Sequence, residues 1–312
     1  MNAVPLEAVE QCYFCRSPLG PEVLRTAYTD LWPNPAGQVF TYRPCEPCRL
    51  VVLADRPVYG PALEEFSARQ GGCAAFDGAS PSWVVRALTR GLQARKLAVL
   101  RRVTRVEPGM RVLEVGCGRG AFAGYLARRV GCEVHGNDLH PLPASPGVTY
   151  HAGPFAPGLF GETRFDLIVA HHVVEHVYDP LAFIAGAHAL LAPGGVLVLE
   201  TVNKDCATFR WFGQDWGLLC APRHTVLYSA AFFEDLPARV PFAGVEVFFD
   251  GYARAVSPLA QSLVHRLRLP LGTGVGKALA FALFALLNPW LAPLELGLGL
   301  GRAVITVVAR RA

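Results

Sequence analysis

Three groups of residues in this chain have types and spacings that could do chemistry. The first is Glu114-Val115-Gly116-Cys117-Gly118-Arg119-Gly120, an acid followed by glycines at alternate positions. Glycine lets the backbone turn tightly and approach a ligand without a Cβ in the way. A helix opening after such a turn points its free N–H groups at that ligand. The second group is Cys12-x-x-Cys15 and Cys45-x-x-Cys48, two knuckles about thirty residues apart. The third is histidine, with His171, His172 and His176 on one stretch beside Glu175, and His224 further on. Histidine is the side chain best matched to accepting a proton near neutral pH.

Two ligands compete for the glycine turn. Gly116, Gly118 and Ala121 satisfy the dinucleotide pattern G-x-G-x-x-G/A. Glu114, Gly116, Gly118 and Gly120 satisfy the acid-x-G-x-G-x-G turn that holds S-adenosylmethionine (SAM). The carboxylate decides for SAM, because it repels a pyrophosphate and attracts the ammonium of the methionine end. Asp138 closes the next apolar run, where an acid can accept both ribose hydroxyls. No Arg follows it closely, which argues against a 2′-phosphate. The expected contacts are Glu114 near the methionine end, with Gly116, Gly118 and Gly120 along the cofactor. Asp138 is expected on the ribose, Leu139 on adenine, and the backbone around Gly153 at the adenine amine. Ala170 and His171, at the end of the fourth strand, complete the expected cofactor wall.

Paired C-x-x-C knuckles suit one tetrahedral zinc, each turn presenting two thiolates to the ion. The segment between them is rich in Pro, Gly and aromatics, so a metal-held ribbon is expected there. Nine cysteines without an apolar, basic leader at the N-terminus argue for a reducing, cytoplasmic setting. The net charge of +4 neither demands nor excludes an anionic partner.

These groups need elements to position them. Pro61–Arg105 reads as helix, with one face carrying Arg86, Arg90, Arg95, Lys96, Arg101, Arg102 and Arg105. Strands are expected at Met110–Val115, Glu133–Asp138, Val148–His151, Phe165–Ala170 and Gly195–Thr201. Helices are expected at Gly120–Val130 and Pro180–Leu191, with Pro193-Gly194-Gly195 turning into the fifth strand. That rhythm predicts a doubly wound parallel sheet, with ligands at the carboxyl ends of its strands. Helix Tyr228–Leu236 and strands Gly244–Phe249 and Ala303–Ala309 follow. Between those two strands, Ala278–Leu294 carries no charge but is broken by Asn288-Pro289 and Pro293. It falls short of a continuous span, and a buried packing role is slightly favoured over a membrane-surface patch.

On these motifs the chain resembles the class I SAM-dependent methyltransferases, with an N-terminal zinc-binding module like that of bacterial sugar and small-molecule methyltransferases. Glu114–Gly120 resembles the family's first motif. Phe165–Val169 followed by His172-Val173-Val174-Glu175-His176 resembles its fourth-strand motif, and Leu191–Gly195 the turn before its fifth strand. The resemblance implies an α/β, doubly wound Rossmann-like sheet and a small zinc ribbon, to which the uncharged stretch adds an apolar helical insert before the last strand. The division expected is 1–60 for the ribbon, 61–107 for a helical lead-in and 108–312 for the methyltransferase domain, with the insert at about 256–300.

In the sugar C-methyltransferases of this kind an acid precedes the histidine that His224 matches. Here Arg223 stands in its place, and the C-terminal domain usual in that group is not expected in this chain. Both points favour transfer to a hydroxyl oxygen of a small-molecule or sugar acceptor. The resemblance makes His224 the first choice of general base and His172 the second, with His176 and Glu175 facing the site or orienting the next helix. Trp211, Phe212 and Trp216 are placed as walls of the acceptor pocket or as core. The rival readings are an RNA methyltransferase gripping through the ribbon and the basic helix, and a non-catalytic SAM-binding or membrane-associated protein. The first is disfavoured because Ala170-His171-His172-Val173 lacks the Asn/Asp-Pro-Pro-aromatic motif of base-amino methylation. Peripheral membrane contact through 278–294 and homo-oligomerisation stay open.

Overall fold

The computed structural model describes residues 4–29, 32–33, 37–60, 83–140, 145–249, 257–267, 274–300 and 302–312. The expected helical stretch before Trp83 lies outside the described residues. The chain divides into two compact units. One comprises Cys73–Thr201, Phe233–Tyr252 and Ile305–Ala312, and the other Met1–Gly72, Val202–Phe232 and Ala253–Val304.

The first unit is built on a seven-stranded sheet. Its strands are β8 (Arg111–Val115), β9 (Glu133–Asp138), β10 (Val148–Ala152), β11 (Phe165–His171), β12 (Leu191–Val202), β14 (Gly244–Phe248) and β15 (Val304–Arg310). Their order is β10-β9-β8-β11-β12-β15-β14. Strands β10, β9, β8, β11 and β12 run parallel, and β14 pairs antiparallel with β15. The chain order reverses between β8 and β11, which is where a ligand crevice opens in such sheets. The Pro193-Gly194-Gly195 turn is present as an irregularity inside β12. Leu191 pairs with Phe165 and Val196 with Leu167, so the intervening residues bulge out, with Gly194 at φ 73°.

Helix α1 (Trp83–Val103) and helix α2 (Ala121–Val130) cover one face. Leu97 and Leu100 of α1 pack with Phe122 and Leu126 of α2 on Val112, Val134, Leu167 and Val169. These strand residues alternate with ones facing the other way, as a two-residue pleat requires. Gly120 caps α2 in the left-handed region at φ 70°, and Gly131 ends it at φ 82°, its N–H closing on the Leu126 and Ala127 carbonyls. Helix α3 (Pro180–Leu190) starts as its sequence dictates, with Pro180 in the first turn and Asp179 accepting from the Ala182 N–H at 2.9 Å.

The second unit holds the cysteine knuckles. Its larger sheet has the order β13-β6-β5-β2, from β2 (Leu24–Thr26), β5 (Phe40–Cys45), β6 (Leu50–Leu53) and β13 (Val226–Leu227). Strands β1 (Leu6–Ala8) and β7 (Asp55–Pro57) pair with each other, as do β3 (Tyr28–Thr29) and β4 (Trp32–Pro33). Two short helices belong to its later segments, α4 (Ala207–Phe212) within this unit and α5 (Ala230–Glu234) at its edge. Leu227 pairs with Val51, so a strand from far along the chain completes the N-terminal sheet.

A real core results. Phe40, Tyr42 and Leu53 pack with Trp216, Leu219, Leu227 and Ala303. The expectation of a ribbon held by metal alone is therefore corrected, because later segments supply the apolar partners the ribbon lacks. The division at 60 and 107 does not coincide with these compact units for the same reason. Trp216 is fully buried, its Nε1 donating to Thr208 Oγ1 at 3.1 Å, so it serves as core.

The insert also differs from expectation. Helix α6 (Pro258–Arg266) is followed by a single helix α7 (Gly274–Gly297) that runs through Pro289 and Pro293. Most of α7 is exposed, so the buried reading is overturned. By length and composition α7 would be long enough to cross a membrane. It is held to α6 by Val264 on Ala280, with Leu283 and Phe284 against them.

Phe40→Ala should cost about 3–5 kcal/mol, the usual range for emptying a buried aromatic site. Hydrogen exchange should then quicken in residues 202–232 as well as in the N-terminal strands. Acceleration confined to the first sixty residues would show that the shared core carries no load.

Candidate functional site

The glycine turn sits at the carboxyl end of β8. Gly116, Gly118 and Gly120 all have left-handed φ, at 68°, 55° and 70°. At Gly116 the constraint is double, since a Cβ would lie 2.5 Å from Val173 Cγ2. Asp138, at the end of β9, accepts the Gly118 N–H through Oδ2 at 2.8 Å. Its own carbonyl accepts from the Gly153 N–H at 2.9 Å. Gly116 to Gly120, Asp138 and Gly153 are thus brought together, with exposed Leu139 next in chain. Ala170 lies beneath, buried in β11 between Leu199 and Val115.

Glu114 is buried under α2 and accepts the Ala123 N–H at 2.8 Å. Burial pushes its carboxyl up to about 7, against the pull of Lys96 and of that N–H, with Asp138 adding to the rise. Lys96 also lies 5.3 Å over the Phe122 ring. It is therefore tied to the site, although its sequence context reads only as part of a basic face. Asn137 is the other residue missed. Its Nδ2 donates to the carbonyls of His151 and Gly153, each at 3.0 Å, and so shapes the loop after β10. A polar residue inside an apolar strand was the available signal.

The histidines separate by electrostatics. His171 packs edge-on to Phe122 with centroids 5.5 Å apart. Burial, then Lys96 and His172, hold it well below the ordinary imidazole range, so it stays neutral. His172 is the reverse. Its backbone takes φ 54°, its Nδ1 lies 2.9 Å from Glu175 Oε1, and its Nε2 lies 3.6 Å from Glu200 Oε1. Burial opposes the charge, but bonding and attraction to Glu175 and Glu200 outweigh it and push His172 up to about 10. An imidazolium has no lone pair to give, so pairing with Glu175 and Glu200 weighs against His172 as a general base. Glu175 is fixed as its partner. His176 follows, its N–H donating to the Val173 carbonyl at 2.9 Å.

In the other unit, His224 is buried and its carbonyl accepts the Tyr42 hydroxyl at 2.9 Å. The four knuckle sulfurs lie within 4.8 Å of one another, with Cys15 and Cys45 at 3.4 Å. Both knuckles close through a left-handed arginine, Arg16 at φ 60° and Arg49 at φ 55°. The Phe14 N–H points at Cys12 Sγ at 3.5 Å. Four thiolates about 2.3 Å from one tetrahedral ion stand about 3.8 Å apart, so the donor set fits such an ion.

A family profile described as a methyltransferase domain matches residues 88–247. The chain belongs to the methyltransferase-domain family. Its sheet order and glycine turn are those of the class I, SAM-dependent fold expected from the motifs. Among curated relatives, a ubiquinone biosynthesis O-methyltransferase of Cereibacter sphaeroides is 32% identical over 129 residues, covering 38% of this chain and 52% of the relative. One from Xanthomonas campestris pv. campestris is 39% identical over 114 residues, covering 33% and 47%. The chain thus spans about half the length of the curated relatives it matches. Among solved structures, a Haemonchus contortus phosphoethanolamine N-methyltransferase 2, in complex with phosphomonomethylethanolamine and S-adenosylhomocysteine, superposes with a TM-score of 0.50. It shares 17% identity and is matched over 84% of this chain and 62% of that one, a likeness of fold.

The His172 ring should titrate near pH 10 by NMR, far above 6.5. The stability it contributes is fully present below pH 6.5 and lost as pH rises through 10. His172→Ala should destabilise by about 2 kcal/mol or more. That lies below the ~3–5 kcal/mol of a wholly buried pair, because part of the imidazole is exposed. A ring titrating near 6.5 would return His172 to the list of bases.

Proposed function

We propose that this protein transfers the methyl group of SAM to a hydroxyl oxygen of a small-molecule acceptor. The observation that carries the reading is the left-handed glycine turn between Glu114 and Asp138 in a methyltransferase-domain chain. In this reading the side-chain-free turn lies along the cofactor's amino-acid end, with Asp138, beside Gly153, on the ribose and Leu139 on adenine. The curated relatives, named as O-methyltransferases, support an oxygen acceptor. The sulfonium methyl is already activated, so the protein has to align the acceptor, exclude water and take its proton.

With His172 held as an imidazolium and His171 neutral but weakly basic, proton acceptance falls to His224 or His176. His172 contributes fixed positive charge at the end of β11, held by Glu175 and Glu200. In the other unit we assign one zinc to Cys12, Cys15, Cys45 and Cys48, in a structural role beside the apolar core. The working environment we assign is cytoplasmic.

Calorimetry with SAM, S-adenosylhomocysteine and NADH tests the cofactor. Binding of the first two alone is expected, and heat from NADH alone would overturn the reading. Asp138→Ala should weaken SAM binding by at least about tenfold through loss of the ribose contacts. Glu114→Gln should act in opposite directions. It relieves a buried carboxylate whose cost grows as pH rises from 4.5 through 7, and so should raise unliganded stability at pH 8 by about 1–2 kcal/mol. SAM binding should weaken at the same time. For the base, His224→Ala and His176→Ala are compared in single-turnover assays. One should lose about 10²–10⁴-fold in rate with SAM affinity kept, and full activity in both would remove the histidine base.

A further inference from the structure

Helix α7 carries apolar residues on both faces. A helix on a water-facing protein normally turns apolar residues inward and polar ones outward. Here Asn288 and Glu295 face α6, beside Ala280, Leu283 and Phe284. Asn288 Oδ1 accepts the Ser257 N–H at 2.7 Å at the start of α6. Glu295, buried, accepts the Ser257 hydroxyl and the Leu259 N–H, the latter at 3.1 Å. The outward face carries Leu279, Phe281, Leu286, Trp290 and Leu294, with Phe281, Leu286 and Trp290 exposed to 72%, 65% and 76%. Spacings of four and seven residues keep Leu279, Leu286, Trp290 and Leu294 on one stripe. An apolar stripe of this extent marks a surface made to be covered.

We propose that the α6–α7 hairpin docks the protein on an anionic lipid bilayer, with α7 lying in the plane of the interface. Two observations choose this occupant. The first is charge. From Ser257 to Arg302 the sequence holds Arg266, Arg268, Lys277 and Arg302 against one acid, Glu295, which is buried. Arg266, at the end of α6, and Arg302 are exposed, and a basic segment that carries an apolar face matches anionic headgroups over acyl chains. The second is the backbone. Pro289 and Pro293 remove the N–H groups that the carbonyls of Ala285 and Pro289 would use, and both these residues face outward. In the hydrocarbon centre those carbonyls would lack donors. At the interface water reaches them, so α7 lies along the surface and does not cross. Trp290, on the same stripe, suits the headgroup boundary.

The test is vesicle flotation of the full-length protein. Vesicles of phosphatidylcholine alone are compared with vesicles containing about a quarter phosphatidylglycerol, at about 0.1 M and about 1 M salt. Flotation with the anionic vesicles at low salt is expected, weakened by high salt and weak with phosphatidylcholine alone. The variant Leu279→Ser/Leu286→Ser/Trp290→Ser should lose binding by at least about tenfold with an unchanged circular dichroism spectrum. Brominated lipids should quench tryptophan fluorescence in the native protein and not in Trp290→Phe. No flotation, or flotation unaffected by the triple variant, overturns the proposal. So does a vesicle-free dimer in sedimentation that the same variant abolishes, since the face would then join two copies of this chain.

Discussion

The carboxyl ends of the central strands depend on how two carboxylates are held by backbone N–H groups. Asp138 binds the N–H of Gly118, and Glu114 binds that of Ala123, the third residue of α2. Each bond ties a strand end to the turn or the helix that follows β8. Because Gly116 meets Val173 with no room for a Cβ, the stretch after β11 is packed against the same turn. The turn is thus packed into one assembly with three strand ends. Its two acids differ in solvation, with Glu114 buried under α2 and Asp138 at the rim. That difference makes Glu114 a protonation-sensitive part of the site.

Much of the sheet unit was legible because its signals are local. Parallel strands buried on both faces read as short apolar runs bounded by glycine or acid, and β8 to β11 fall within a residue of expectation. Asp179-Pro180 announces α3 by capping chemistry alone. The charge state of His172 was half legible. Glu175 stands three residues away, but Glu200 comes from the next strand, and only the pairing of β11 with β12 brings it near. Without that second carboxylate His172 reads as an ordinary histidine.

The second unit was the less legible because its order is non-local. Strand β13 is only two residues long, yet Leu227 pairs with Val51 and joins Phe40 and Tyr42 in one core. No periodicity in either segment announces that pairing. The gathering of the four knuckle sulfurs, by contrast, was legible in their spacing, whereas the left-handed arginine after each knuckle was not. The consequence is a division of labour. An apolar core backs the sheet, and the knuckle turns are closed by backbone bonds, Arg16 N–H to the Cys12 carbonyl and Arg49 N–H to the Glu46 carbonyl.

Helix α7 shows what a composition reading omits. In the sequence Pro289 and Pro293 read as breaks, because proline removes a helical donor. The rest of the ladder is enough to carry the helix past them, and α6 fixes its inner side through Ser257 and Leu259. With Asn288 and Glu295 turned to α6, the exposed stripe from Leu279 to Leu294 is apolar. Replacing the outward stripe with serines should therefore leave the hairpin standing, since none of its internal hydrogen bonds comes from that face. This separates the stability of α7 from whatever covers it. A helix inserted for packing alone would need the opposite arrangement.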